Sequence, residues 1–166
     1  MASAVAALPR ESRALVSSIR LNPDANPDDA AWAKIYGTSG FTSFMSCDSV
    51  GTLDIYPTRD PNPVKNIMEN LNHEAGHVWS LKLWGDDENG PLWDPWRKAV
   101  AADGLPVSDY GKSSLREDVA ESTAMFLSTR GTPRFEKYRA MYPNRFAILM
   151  KQFPGDSVTG IIDHLS

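Results

Sequence analysis

Asn62-Pro63-Val64-Lys65-Asn66-Ile67-Met68-Glu69-Asn70-Leu71-Asn72-His73-Glu74-Ala75-Gly76-His77-Val78-Trp79-Ser80-Leu81-Lys82-Leu83-Trp84-Gly85 reads as one long helix with both ends marked. Asn62 is a good N-cap, Pro63 suits the first helical position, and Gly85 stops the run. Val64, Ile67, Met68, Leu71, Ala75 and Val78 recur at helical spacing and define an apolar stripe. His73 and His77 fall roughly opposite that stripe, with Asn66, Asn70 and Trp84 nearby on the wheel. One side of the helix is expected to pack, and the other to line a cleft.

The polar side carries His73-Glu74-Ala75-Gly76-His77, the pattern H-E-x-x-H. Residues i and i+4 share a helix face, so two imidazoles can reach one ion. A catalytic zinc takes three protein ligands and keeps a place for water, whose proton Glu74 can accept. The pattern has only three fixed positions, so its surroundings decide its weight. Two of the chain's three histidines share this spacing, whereas the third, His164, reads as a surface residue near the end.

A third ligand has to come from another segment. The extension of the motif to a third histidine fails, because Ser80 and Leu83 occupy the required places. Ser114 opens a second helix with Leu115, Val119 and Phe126 on one face and Gly131 and Pro133 after its end. Glu117 and Glu121 lie one turn apart on the opposite face, and small Ala120 and Ala124 permit close approach. They suit a ligand and a supporting partner. Ser114-Leu115-Arg116-Glu117 also fits the capping box S-x-x-E, and Glu121 also fits a solvated helix surface. Tyr110, just ahead of this helix, reads either as a packing residue or as a donor to a developing oxyanion.

Around these helices the chain reads as one α+β domain over residues 1–166, several helices on a small sheet. Glu11 to Ile19 is expected to be a short helix, and Asp28 or Asp29 caps another through Trp32 and Ile35 to Gly37. Thr52-Leu53-Asp54-Ile55-Tyr56 alternates like a half-buried strand, and Pro57 ends it or marks an edge. Trp93 and Trp96 sit in a loop or short helix, and Phe135 to Phe153 forms one or two helices broken near Pro143.

Composition narrows the partners. Net charge is −4, with 42% hydrophobic and 10% aromatic residues, which fits a single packed core and no nucleic-acid or anionic-membrane surface. No run approaches the roughly 20 apolar residues of a membrane span. Met1 to Pro9 lacks the basic and apolar regions of a signal peptide, so a secreted or effector setting implies a leader already removed or another export route. The single cysteine, Cys47, makes no intrachain disulfide and reads as a small buried hydrophobe rather than a nucleophile.

Taken with Tyr110 and the segment Arg116-Glu117-Asp118-Val119-Ala120-Glu121, the paired histidines resemble the peptidases grouped with the anthrax lethal factor catalytic domain and the secreted Pro-Pro endopeptidases. The resemblance runs from about Leu53 to Met125. It implies a zincin-like fold with His73, His77 and Glu117 on one zinc ion, Glu74 as base and Tyr110 as electrophilic helper. It further implies an extended protein or peptide substrate against an edge strand, for which Leu53 to Tyr56 is similarly placed. Val78-Trp79-Ser80 and the Trp84 to Trp96 loop depart from the family, so substrate preference does not transfer. A zinc-binding regulatory module and a hydrolase of non-peptide amides remain the alternatives.

Overall fold

A computed structural model describes residues 6, 8–35, 37–57 and 63–155, with the backbone alone at 63–66. The Asn62 cap, the Val64 and Asn66 side chains, His164 and most of the Met1 to Pro9 stretch lie outside the described residues. Among the described residues the chain is α+β, with seven α-helices and a three-stranded mixed sheet. The elements are α1 (Arg10–Arg13), β1 (Ser18–Leu21), α2 (Asp29–Ile35), β2 (Met45–Cys47) and β3 (Thr52–Ile55). They continue with α3 (Pro63–Trp84), a 3₁₀ turn (Pro91–Trp93), α4 (Asp94–Asp103), α5 (Leu115–Thr129), α6 (Pro133–Met141) and α7 (Pro143–Gln152).

The sheet corrects two expectations. The helix expected over Glu11 to Ile19 ends at Arg13, and Ile19 lies in β1, which pairs parallel with β3 from Ser18↔Thr52 to Leu21↔Ile55. A distant strand satisfies the backbone there, and no local pattern announces it. Gly51 makes the docking possible, since at φ 88° a Cβ on it would lie 2.0 Å from the Leu15 carbonyl oxygen. Arg20 grips Asp54 across the pair through Nε and Nη2 at 2.9 and 2.7 Å.

The second correction concerns the edge. β3 is the central strand, because β2 pairs antiparallel on its other side, Met45↔Ile55 and Cys47↔Leu53. The alternation read from the sequence holds, with Leu53 and Ile55 buried. β1 and β2 are the two edge strands, and it is β2 whose residues line the site cavity.

α3 has the ends expected of it, and Gly85 closes it with an N–H to the Leu81 carbonyl at 2.9 Å. Instead of one core, two apolar clusters flank this helix. Leu53, Ile55, Met45 and Leu8 meet Ile67 and Leu71 on the sheet side, while Trp79 and Trp84 join Trp93, Trp96, Val119, Phe126, Phe146 and Phe153 on the other. Trp84 thus belongs to the aromatic cluster, not to the cleft beside the histidines. It stacks 5.0 Å from Trp79 and 5.1 Å from Trp93, whose indole donates to the Gly85 carbonyl at 3.0 Å. The tryptophan-rich stretch is structural, since Trp93 and Trp96 are fully buried.

α3 and α5 come into close contact at Gly76. A Cβ there would fall 2.8 Å from the Ala120 Cα and 3.0 Å from the Thr123 side chain. Glycine at this place in the histidine motif lets the second helix come near enough for its carboxylates to reach the first. Gly76→Ala is expected to lose about 1–3 kcal/mol of stability to overpacking, despite the better helix propensity of alanine. Denaturant unfolding measures it, and a neutral result would show that the helices part without cost.

Candidate metal centre

The site lies between α3 and α5, beside β2. α3 presents His73, Glu74 and His77, the first turn of α5 presents Glu117, and the next turn presents Glu121. Ser114 caps α5 by accepting the Glu117 N–H at 3.1 Å. The Glu117 side chain brings Oε2 to the histidines.

Three donor atoms converge. His73 Nε2 lies 3.3 Å and His77 Nε2 3.5 Å from Glu117 Oε2, and the two imidazole nitrogens are 3.1 Å apart. Zinc bonds of roughly 2.0–2.2 Å at tetrahedral angles put ligand atoms about 3.3 Å apart. The donor set therefore fits one tetrahedral ion, and His73, His77 and Glu117 can hold it. Glu121 Oε1 accepts a hydrogen bond from His73 Nδ1 at 3.0 Å, which turns Nε2 toward the centre.

Charge reinforces this geometry. Burial works against a charged His73, but hydrogen bonds to Glu117 and Glu121 outweigh it and hold the imidazole at about 10. Burial likewise opposes ionisation of Glu117, and hydrogen bonds from His73 and His77 override it, holding the carboxyl far below its usual range. Without an ion, His73 therefore carries a proton at neutral pH.

A ligating imidazole must give up that proton. Metal uptake at pH 7 is expected to release about one proton, with apparent affinity rising about tenfold per pH unit from 6 to 8. Calorimetry in buffers of different ionisation heat tests this, and uptake without proton release would contradict the His73 assignment. The sign for folding is the reverse. The raised His73 value stabilises the metal-free protein below about pH 6.5, and that contribution fades as pH climbs through about 10.

Comparison with protein-family models and with curated proteins returned no match. The donor set and its surroundings therefore carry the functional reading.

Those surroundings form a cavity of about 810 Å³. Glu74 lines it at 5% exposure, one residue from a ligand. Tyr110 lines it too, with its ring 6.0 Å from the His73 ring and 39% exposed. The facing wall is β2 and the residues before it, including Phe44, Ser46 and Cys47. The Cys47 thiol donates to the Glu74 carbonyl at 3.7 Å, and burial, then the nearness of Glu74, pushes its pKa far up. It behaves as the small hydrophobe expected.

All six residues singled out from the sequence, His73, Glu74, His77, Tyr110, Glu117 and Glu121, line this one cavity. Two supporting features were not anticipated. Ser108 Oγ accepts the Gly111 N–H at 2.9 Å. Arg145, fully buried, binds Asp118, the residue after Glu117. The hydroxyl in Ser108-Asp109-Tyr110 was a readable turn signal, whereas nothing local marks Arg145 as buried.

Proposed function

We propose that the protein is a zinc-dependent endopeptidase. The observation that carries this reading is the convergence of His73 Nε2, His77 Nε2 and Glu117 Oε2 at 3.1–3.5 Å beside a buried Glu74. Two imidazoles and one carboxylate are a donor set that suits zinc. When bound there, zinc supplies Lewis acidity and lowers the pKa of water toward about 7.

The chain's own residues supply the rest. Glu74 Oε takes the proton of the attacking water and hands it to the leaving amine. Glu121 keeps the His73 ring in the tautomer whose Nε2 is free to ligate. Tyr110 donates its phenolic hydrogen to the oxygen that becomes negative as water adds to the carbonyl. As an edge strand beside the cavity, β2 is placed to pair with an extended peptide laid along it. Five of the six, His73, Glu74, His77, Tyr110 and Glu117, are those that resemblance to the lethal factor and Pro-Pro endopeptidase group implies, and membership in that group is part of the proposal. No helix among the described residues is long and apolar enough to cross a membrane.

The test is to incubate zinc-loaded protein with a proteome-derived peptide mixture and sequence the new termini. Cleavage that a chelator abolishes is the expected result. One bound zinc without any cleavage would leave a binding or regulatory module, and turnover confined to non-peptide amides would change the substrate class.

A further inference from the structure

We infer that Glu88 is a positioning residue for the metal ligand Glu117, an inference that rests on zinc occupying the site between α3 and α5. Glu88 lies in the turn after α3 and lines the wall of the cavity. Its carboxylate Oε2 accepts the Arg116 N–H at 3.2 Å, across 28 positions of sequence. The first N–H groups of a helix have no partner within it, and a carboxylate there also answers the positive end of the helix dipole. Ser114 Oγ takes the Glu117 N–H of the same first turn at 3.1 Å, so α5 is capped once by its own neighbour in the chain and once from the turn. The Arg116 guanidinium returns the grip through Nη2 to the Asp86 carbonyl. Turn and helix start are thus clasped twice, in opposite directions.

A side chain that caps a helix from another segment often does no more than stabilise it. Two observations give Glu88 more to do. The amide it holds belongs to the residue immediately before Glu117, and the turn it comes from continues the helix that carries His73 and His77. That turn is braced: the Trp93 indole donates to the Gly85 carbonyl at 3.0 Å, Arg97 Nη2 to the Glu88 carbonyl at 2.8 Å, and the Gly90 N–H to the Asp87 carbonyl at 2.9 Å. A closed circuit results, from His77 along α3 and the turn to Glu88, across the hydrogen bond to Arg116, and through Glu117 Oε2 back to His77 Nε2 at 3.5 Å. The ion and the Glu88 bond each close that circuit, so each favours the other, and by linkage to the same degree. Glu88 sets where Glu117 sits while standing outside the three donor atoms.

Zinc titration of three variants tests this. Glu88→Ala is expected to weaken zinc binding about tenfold, and Glu88→Gln, which keeps an acceptor oxygen, to stay within about twofold of the wild type. In a Glu117→Ala background, where zinc is held more weakly from the start, Glu88→Ala should add almost nothing, because its effect passes through the missing ligand. A purely structural loss would be the same in both backgrounds. The second readout uses the wild type alone, so it decides the matter even where Glu88→Ala does not fold: hydrogen exchange at the Arg116 amide should slow about tenfold on zinc loading. An Arg116 amide indifferent to zinc, or a Glu88→Ala loss as large without Glu117 as with it, overturns the inference. Zinc uptake without peptide cleavage ends the peptidase reading alone, and the same titrations still decide the place of Glu88. A wild type that takes up no zinc ends both.

Discussion

Glu74→Gln is expected to lower kcat/KM for peptide hydrolysis by about 10³-fold while zinc still binds one per chain. Glutamine keeps the volume and the hydrogen-bonding carbonyl but cannot take a proton at neutral pH. Glu74 is 5% exposed and lies in the cavity beside the ligands, outside the three atoms that converge on the ion. Losses of rate and of metal should therefore separate. Steady-state rates paired with metal analysis of the same sample check this, and a variant with undiminished rates would remove Glu74 from the mechanism.

Arg145→Ala should cost about 3–5 kcal/mol of folding stability, the range for breaking a buried ion pair on one side. Arg145 Nε and Nη2 donate to Asp118 Oδ1 and Oδ2, both at 2.8 Å, while Nη1 reaches Asp103 Oδ2 at 3.2 Å and the Leu105 carbonyl at 3.0 Å. Trp96 Nε1 adds a further hydrogen bond to Asp118 Oδ1 at 2.9 Å. Removing the guanidinium strands two carboxylates, and both Asp118 and Asp103 sit where helices meet. For a chain of this length the loss corresponds to a fall in thermal midpoint of about 10 °C. Because Asp118 follows Glu117 on α5, zinc affinity should fall along with stability. Thermal unfolding and zinc titration of the variant give both numbers, and an unchanged midpoint would mean that the network is idle.

The parts of the fold that could be read from the sequence are those whose cause is local. α3 and α5 carry their own caps, stops and apolar stripes, and the break at Pro143 is equally plain. Their mutual placement was readable at the level of residue type, since Ala120 and the motif glycine Gly76 are small where helices touch. The sheet was less legible. β1 depends on a parallel partner more than thirty positions away, and Val16-Ser17-Ser18-Ile19 offers too short a run to outweigh the helical start before it. β3 alternates as any half-covered strand does, but alternation says nothing about which neighbour lies at the rim, so the edge role passed to β2. Trp84 misled for a related reason. The wheel puts it near His73 in angle, yet it sits eleven residues further along, beside a different set of aromatic rings. Asp118 and Arg145 look like ordinary charged helix residues until the fold brings them together.

The two walls of the cavity belong to different cores: β2 is rooted among Met45, Leu53 and Leu71, whereas the carboxylate-bearing helix is rooted among Val119, Phe126 and the tryptophans. Recognition and chemistry are thereby mounted on separate foundations. Lineages of such a protein can revise the residues that greet a new substrate while the apparatus that holds the ion keeps its shape, and changes drawn from the two sides should combine as independent factors.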